Sequence, residues 1–370
     1  MTMDLVLEEE QVLLQRAAKD FVAARSPLKR ARTGEMSRDL WKEMAKLGWL
    51  GLVIDEQYGG TGLGHRYLAV VLEELGRGLV PEAIVSTAVL GATAIELGGS
   101  DSARREHLPA IAQGERIVAL AHQEPNSRFA AAAVDASADR AGGGWKLTGE
   151  KAHVMDGTVA DLFVVSARAS DGVGLFLVPA KSNGVTVVPQ KRIDGRSCAL
   201  VRLESVAIDG GSRLGGEQGM RLLERVLDAG TVALSAEMLG TMAGAFAMTL
   251  DYMKTRIQFA VPIGSFQALQ HRASRLFVEC ELARSSVMYA AALLDGLDAS
   301  ASSRRAASVA KAKCSDALML VAHESIQMHG GIGMTDEHAI GLFLKRARVA
   351  EMTFGDAAYH RDRFARLSGF

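Results

Sequence analysis

Near the C-terminus the chain reads EMTFGDAAYH, residues 351–360, where Glu351 and Asp356 bracket Thr353, Phe354 and Gly355 in an otherwise helix-like stretch. A carboxylate held in an apolar site has its basicity raised toward neutral pH, as a general base requires. Either one of these acids is such a base or the stretch marks a place from which a base has been lost. The choice depends on what the remaining residues build.

Two further stretches could hold a cofactor. SIQMHGGIGMTDEH, residues 325–338, places Gly330, Gly331 and Gly333 between two helical patterns. Glycines there can cap a helix C-terminus, and they also let backbone approach a phosphate or ribose closely. The motif joins helix to helix and does not follow a strand, so it is no Rossmann fingerprint. TRIQFAVPIGSFQALQH, residues 255–271, ends one helix near Arg256, turns at Pro262-Ile263-Gly264 and starts another at Phe266 and Gln267. Arg256 can bind a pyrophosphate bidentately, and Phe259 can pack on an adenine ring.

Other chemistries find no support. The histidines show no metal-ligand spacing, and neither a G-x-S-x-G elbow nor a Walker loop is present, so no metal is expected. Cys198, Cys280 and Cys314 are far apart and outside any C-x-x-C pattern, which reads as buried thiols. With 42 Lys+Arg against 43 Asp+Glu the net charge is -1, without the basic footprint of a nucleic-acid or membrane binder. No secretory signal and no uninterrupted apolar span is evident, so a cytoplasmic protein is expected.

The elements that must position these residues follow from periodicity. Up to residue 113 apolar residues recur at helical spacing, broken by LVIDEQYGGTGLG, where Gly59, Gly60, Gly62 and Gly64 force tight turns. Residues 114–213 carry short Val-, Leu- and Thr-rich segments between turn signals, a small β domain. Residues 214–370 are helical, with segments near 217–256, 264–297, 303–329 and 336–367 that can form a four-helix bundle. Small residues Gly230, Ser235, Gly240 and Gly244 in the first would permit close helix approach. The fold class is α+β in three regions.

This order of regions, with R-x-x-F-x-x-P-I-G-x-F-Q from Arg256, Q-x-H-G-G-x-G from Gln327, VLEELGRGL and the Glu124-Pro125 pair, resembles the acyl-CoA dehydrogenase family over nearly the whole chain. The resemblance implies FAD bound between the β domain and the bundle, an acyl-CoA substrate, α-proton removal by a carboxylate, and β-hydride transfer to flavin. It also implies a dimer or tetramer formed through the bundle, and an electron-transfer flavoprotein as one acceptor.

Carried over residue by residue, Arg256, Phe259, Gln267, Gln327, Gly330, Gly331 and Gly333 match positions that reach the adenine and pyrophosphate half of FAD across a subunit interface. On the ring side the chain departs from the pattern: Gln123 stands where a Thr precedes Glu-Pro, and His153 and Met155 stand in the W-x-T segment. The family's catalytic Glu precedes the glycine that matches Gly355, a place held here by Phe354. The alternative base position, on the first bundle helix, is Gly230. Asp356 lies about 200° round a helix from the usual position, and Asp228 and Glu351 are likewise displaced. The leading expectation is the subunit without a base in a heteromeric acyl-CoA dehydrogenase. The alternatives are a homomeric enzyme with Asp356 or Asp228 as base, a flavin oxidase or monooxygenase, and a flavin-free structural partner.

Overall fold

Alternating apolar residues between glycine-rich turns produce a sheet, and heptad-like stripes produce long helices. The computed structural model describes residues 6–25, 28–296 and 301–370. These divide into two units, one of residues 1–34, 65–80 and 231–370, the other of residues 35–64 and 81–230.

In the second unit α1 (Arg38–Lys46) starts at Ser37, whose hydroxyl accepts the Leu40 amide at 3.3 Å. The glycine-rich loop after it is closed by amides of Thr61, Gly62 and Gly64 donating to the carbonyls of Gly51, Ile54 and Leu52. A Cβ on Gly60 would lie 2.0 Å from the Ile54 carbonyl, so only glycine fits there. A buried π-helical stretch, Ile84–Gly91, leads into α2 (Ala92–Gly98) and α3 (Asp101–Ala112).

The sheet of this unit contains β1 (Val118–Ala121), β2 (Ser137–Ala141), β3 (Gly144–Met155), β4 (Leu162–Ala169), β5 (Gly172–Pro179), β6 (Val185–Pro189), β7 (Cys198–Asp209) and β8 (Arg213–Leu214). The order is β6-β7-β3-β2-β4-β5-β8, with β1 running parallel to β4. Trp145, Leu147, Val154, Phe163, Phe176, Val201 and Val206 fill its core. β3 and β7 lose register between Lys151 and Val154, and His153 adopts φ 53° in that bulge. β2 was not foreseen because SADRA is polar, nor β8 because two residues carry no periodicity.

The other unit is helical: α4 (Glu9–Arg25), α5 (His65–Arg77), α6 (Gly219–Thr255) from Thr231 onward, α7 (Gln267–Asp295), α8 (Ala301–His329), α9 (Ile340–Met352) and α10 (Ala357–Leu367). α6 crosses α5 closely. A Cβ on Gly240 would sit 1.7 Å from the Glu73 carbonyl, and one on Gly244 2.6 Å from that of Arg77. Around this crossing the buried acids are paired, Glu73 with Arg284 at 2.5 Å and Glu237 with Arg346 at 3.0 Å.

α6 is long and apolar enough to cross a membrane, but 78% of its most apolar window is buried inside the protein, as in a core helix. All three cysteines are buried. Burial pushes the Cys280 thiol up to about 11 and the Cys314 thiol up to about 12, and it raises that of Cys198 in the sheet unit.

One expectation needs correction: the segment 336–367 is two helices, because Thr353 is extended and Phe354 and Gly355 have φ 60° and 114°. In the Thr255–His271 stretch one helix ends at Thr255 and the next begins at Gln267, as expected, with a further element between them. β9 (Ile257–Gln258) and β10 (Val261–Pro262) form a hairpin whose tip, Phe259 and Ala260, has φ 53° and 66° without any glycine. The expected helix end at residue 297 lies outside the described residues.

Candidate active site

In the helical unit, the break between α9 and α10 is built around Phe354. Asp356 is the N-cap of α10, its Oδ1 accepting the Tyr359 amide at 2.8 Å. Glu351 pairs with Arg348 three residues earlier at 2.6 Å, a partly exposed helix-surface contact. The half-buried Phe354 is held from its backbone side. His360 Nε2 donates to the Phe354 carbonyl at 3.1 Å, while Lys311 Nζ donates to the carbonyls of Glu351 and Gly355 at 2.9 and 2.7 Å. Burial lowers Lys311 to about 7, against the opposing charges of Glu351 and Asp356. Burial, with the charges of Lys311 and Arg363, takes His360 down to about 3.

Neither Lys311 nor His360 was singled out from the sequence, although Lys311 sits on the apolar row Ala307, Lys311, Cys314, Leu318, where a charge is out of place. At the other displaced positions, Asp228 is buried on α6 at 4% exposure, and Gly230 stands two residues beyond it.

The same unit carries the exposed arm. Arg256 forms no ion pair among the described residues and is exposed, as are Gln267, Gln327, Gly330 and Gly331. The Phe259 ring is 88% exposed at the hairpin tip, stacked edge-on against Phe266 at 6.0 Å. Gly330 has φ 63°, and a Cβ on Gly330 or Gly331 would meet nothing within 4 Å. Gly333 differs from them: it is buried, with the Ile326 carbonyl 2.7 Å from its virtual Cβ, so a side chain would not fit there. A cavity of about 490 Å³ lined by residues including Arg77, Met248, Tyr252, His338 and Phe343 contains none of the candidate catalytic or cofactor-binding residues.

In the sheet unit Glu124 accepts hydrogen bonds from the amides of Asp135 and Ala136 at 2.8 and 3.0 Å and from Lys151 Nζ at 2.5 Å. Burial would raise Glu124, but Lys151 and the two amides hold it below the usual carboxylate value. Burial lowers Lys151 despite Glu124, and burial together with Lys151 takes His122 down to about 4. Gln123 turns onto the Arg128 carbonyl at 2.7 Å. The His153 amide is taken by Gln190 Oε1 at 3.0 Å, and its side chain is exposed. Met155 is half-buried opposite Cys198. These contacts hold a loop and a bulge in place.

The sequence matches the acyl-CoA dehydrogenase N-terminal domain over residues 8–115, the middle domain over 119–206 and the C-terminal domain over 217–368. The chain belongs to the acyl-CoA dehydrogenase family, whose FAD-dependent oxidoreductases act on CH–CH bonds. Among its relatives is the acyl-CoA dehydrogenase IpdE2 of Mycolicibacterium smegmatis, 31% identical over 94% of this chain and 96% of that one. Similar structures include a variant of the Tcur3481-Tcur3483 steroid acyl-CoA dehydrogenase, 32% identical with TM-score 0.88 over 97% of this chain and 98% of that one. Another is the ChsE4-ChsE5 complex of Mycobacterium tuberculosis, 27% identical with TM-score 0.90 over all of both chains.

The residues present fit the adenine half of FAD. An unpaired guanidinium suits a pyrophosphate, an exposed aromatic face suits a purine, and open glycine backbone suits close approach. At the ring-side position expected from sequence, the His153 amide is already taken by Gln190.

Proposed function

We propose that this chain is the subunit without a base in a heteromeric, FAD-dependent acyl-CoA dehydrogenase that desaturates a fatty or steroid acyl thioester. The observation that carries the reading is the α9–α10 break. Phe354 stands where the resemblance puts the family's base, and in support of the reading Asp356 is engaged as a helix cap and Glu351 by Arg348. The chains in the Tcur3481-Tcur3483 and ChsE4-ChsE5 structures, which pair two differently named chains, support an unlike partner here. In this reading residues 1–113, 114–213 and 214–370 keep the family's three-part division. Arg256, Phe259, Gln267, Gln327, Gly330 and Gly331 hold the adenine and pyrophosphate end of FAD in the partner's site. FAD supplies the hydride acceptor. This chain contributes binding and orientation, and the carboxylate that removes the α-proton comes from the partner.

The test is expression alone and with a family member encoded beside it. Alone, the chain should bind FAD substoichiometrically and desaturate acyl-CoA little. Together, flavin content and turnover should rise. Full flavin occupancy and brisk turnover by the lone chain would favour the homomeric reading, with Asp356 or Asp228 as base.

A further inference from the structure

Three consecutive features of the α9–α10 break are set by side chains that act on backbone. Lys311, on α8, reaches the carbonyls of Glu351 and Gly355 and also lies 3.1 Å from Ser315 Oγ. His360, 1% exposed on α10, takes the carbonyl of Phe354 between them. Asp356 fixes the far end as the α10 cap.

The residue so enclosed is a bulky one at φ 60°, which L-residues adopt at a cost and keep only where the surroundings over-determine it. A phenylalanine with free backbone would leave that conformation. The carbonyls of residues 351, 354 and 355 are all taken by groups indifferent to the side chain at 354.

We propose that Lys311 and His360 are positioning residues that impose the left-handed backbone at residue 354, so that whatever side chain stands there is delivered to one fixed place. In this chain they deliver the Phe354 ring, which forms a wall of the acyl-binding site. The location of that wall rests on the function proposed above; the positioning does not.

The clamp does not depend on one charge state. As an ammonium, Lys311 donates to both carbonyls and to Ser315; as a neutral amine it still donates to both carbonyls and can accept from the Ser315 hydroxyl. The groups facing it are Cys314 on its own helix, Glu351 on α9, and Asp356 and His360 on α10, with Arg363 beside His360. His360 Nδ1 is buried and without a partner, as expected for a neutral ring whose proton sits on Nε2.

The test is a pair of double-mutant cycles on the full-length chain. Phe354→Gly removes the conformational cost together with the ring's contacts, and the cycle cancels the latter. Read from the unfolding equilibrium, the change should therefore favour the folded state about tenfold more in the native chain than in Lys311→Met, where the turn is free to relax. Should Lys311→Met fail to fold, His360→Phe, which keeps an aromatic of similar volume, serves in its place. Equal effects of Phe354→Gly in both backgrounds would overturn the proposal.

The second cycle reads octanoyl-CoA affinity by calorimetry, on the chain with its copurifying subunit. Phe354→Ala should weaken binding by about tenfold, as expected for lost apolar contact, and do so far less in the His360→Phe background. Coupling in the unfolding cycle without any octanoyl-CoA binding would support the positioning and overturn the acyl-site reading. Additive losses of affinity would overturn the role of Phe354 as a delivered wall.

Discussion

Asp356 and asparagine cap helices equally well, so Asp356→Asn should leave both turnover of the assembly and stability nearly unchanged. Asp356→Ala should cost about 0.5–2 kcal/mol of stability through the lost cap, again with little effect on saturated turnover. Urea unfolding and initial rates check both, and a loss of ~10³-fold in Asn turnover would make Asp356 the base. His360 makes a pH prediction. Its folded value of about 3 lies below the ordinary 6.5, so the unfolded chain takes up a proton that the folded chain refuses until that lower pH. Stability should therefore fall as pH drops through that window, and His360→Phe should flatten the acid limb of a denaturation midpoint plotted against pH. At this scale the expectation of a missing carboxylate could be formed from the sequence, because one position in a long motif is readable by itself. It hid His360, whose partner is a backbone carbonyl that no residue type encodes.

At the scale of elements, α5 and α6 approach so closely that a Cβ on Gly240 would overlap a backbone oxygen. Gly240→Ala should destabilise by about 1–3 kcal/mol or more, since backbone cannot swing aside as a side chain does. Gly331→Ala meets open space and should leave stability within about 0.5 kcal/mol, while reducing flavin retention by the assembly if close backbone contact matters there. Thermal unfolding and the flavin-to-protein absorbance ratio separate the two. The long helices and six of the eight strands of the main sheet were legible, because burial imposes a period. The hairpin was not, since its tip uses left-handed Phe259 and Ala260 where glycine or asparagine would have announced it. The α9–α10 break was masked for the same reason, by a phenylalanine in a conformation its own chemistry disfavours.

For the whole molecule, the exposed arm predicts that assembly and folding are separable. Phe259→Ala removes a ring that is 88% exposed and should leave the unfolding midpoint of the isolated chain unchanged. It should lower flavin content in the co-expressed complex, measured after size-exclusion chromatography. The three-region order and the cofactor were readable because several motifs recur in fixed sequence. Whether the proposed partner is unlike this chain was not, since complementarity between surfaces is not written in the periodicity of one sequence.

The buried cysteines give the molecule a further property. With Cys280 and Cys314 pushed far above neutral and Cys198 raised as well, almost no thiolate exists in the native state, and thiolate is the form that reacts. A thiol reagent should therefore label the folded chain slowly and modify all three positions once it unfolds. A single cysteine introduced at Met334, which is 79% exposed, would then be the only fast-reacting group on the surface. The protein is thus already suited to site-specific attachment of a probe beside its glycine arm, with no native cysteine to remove first.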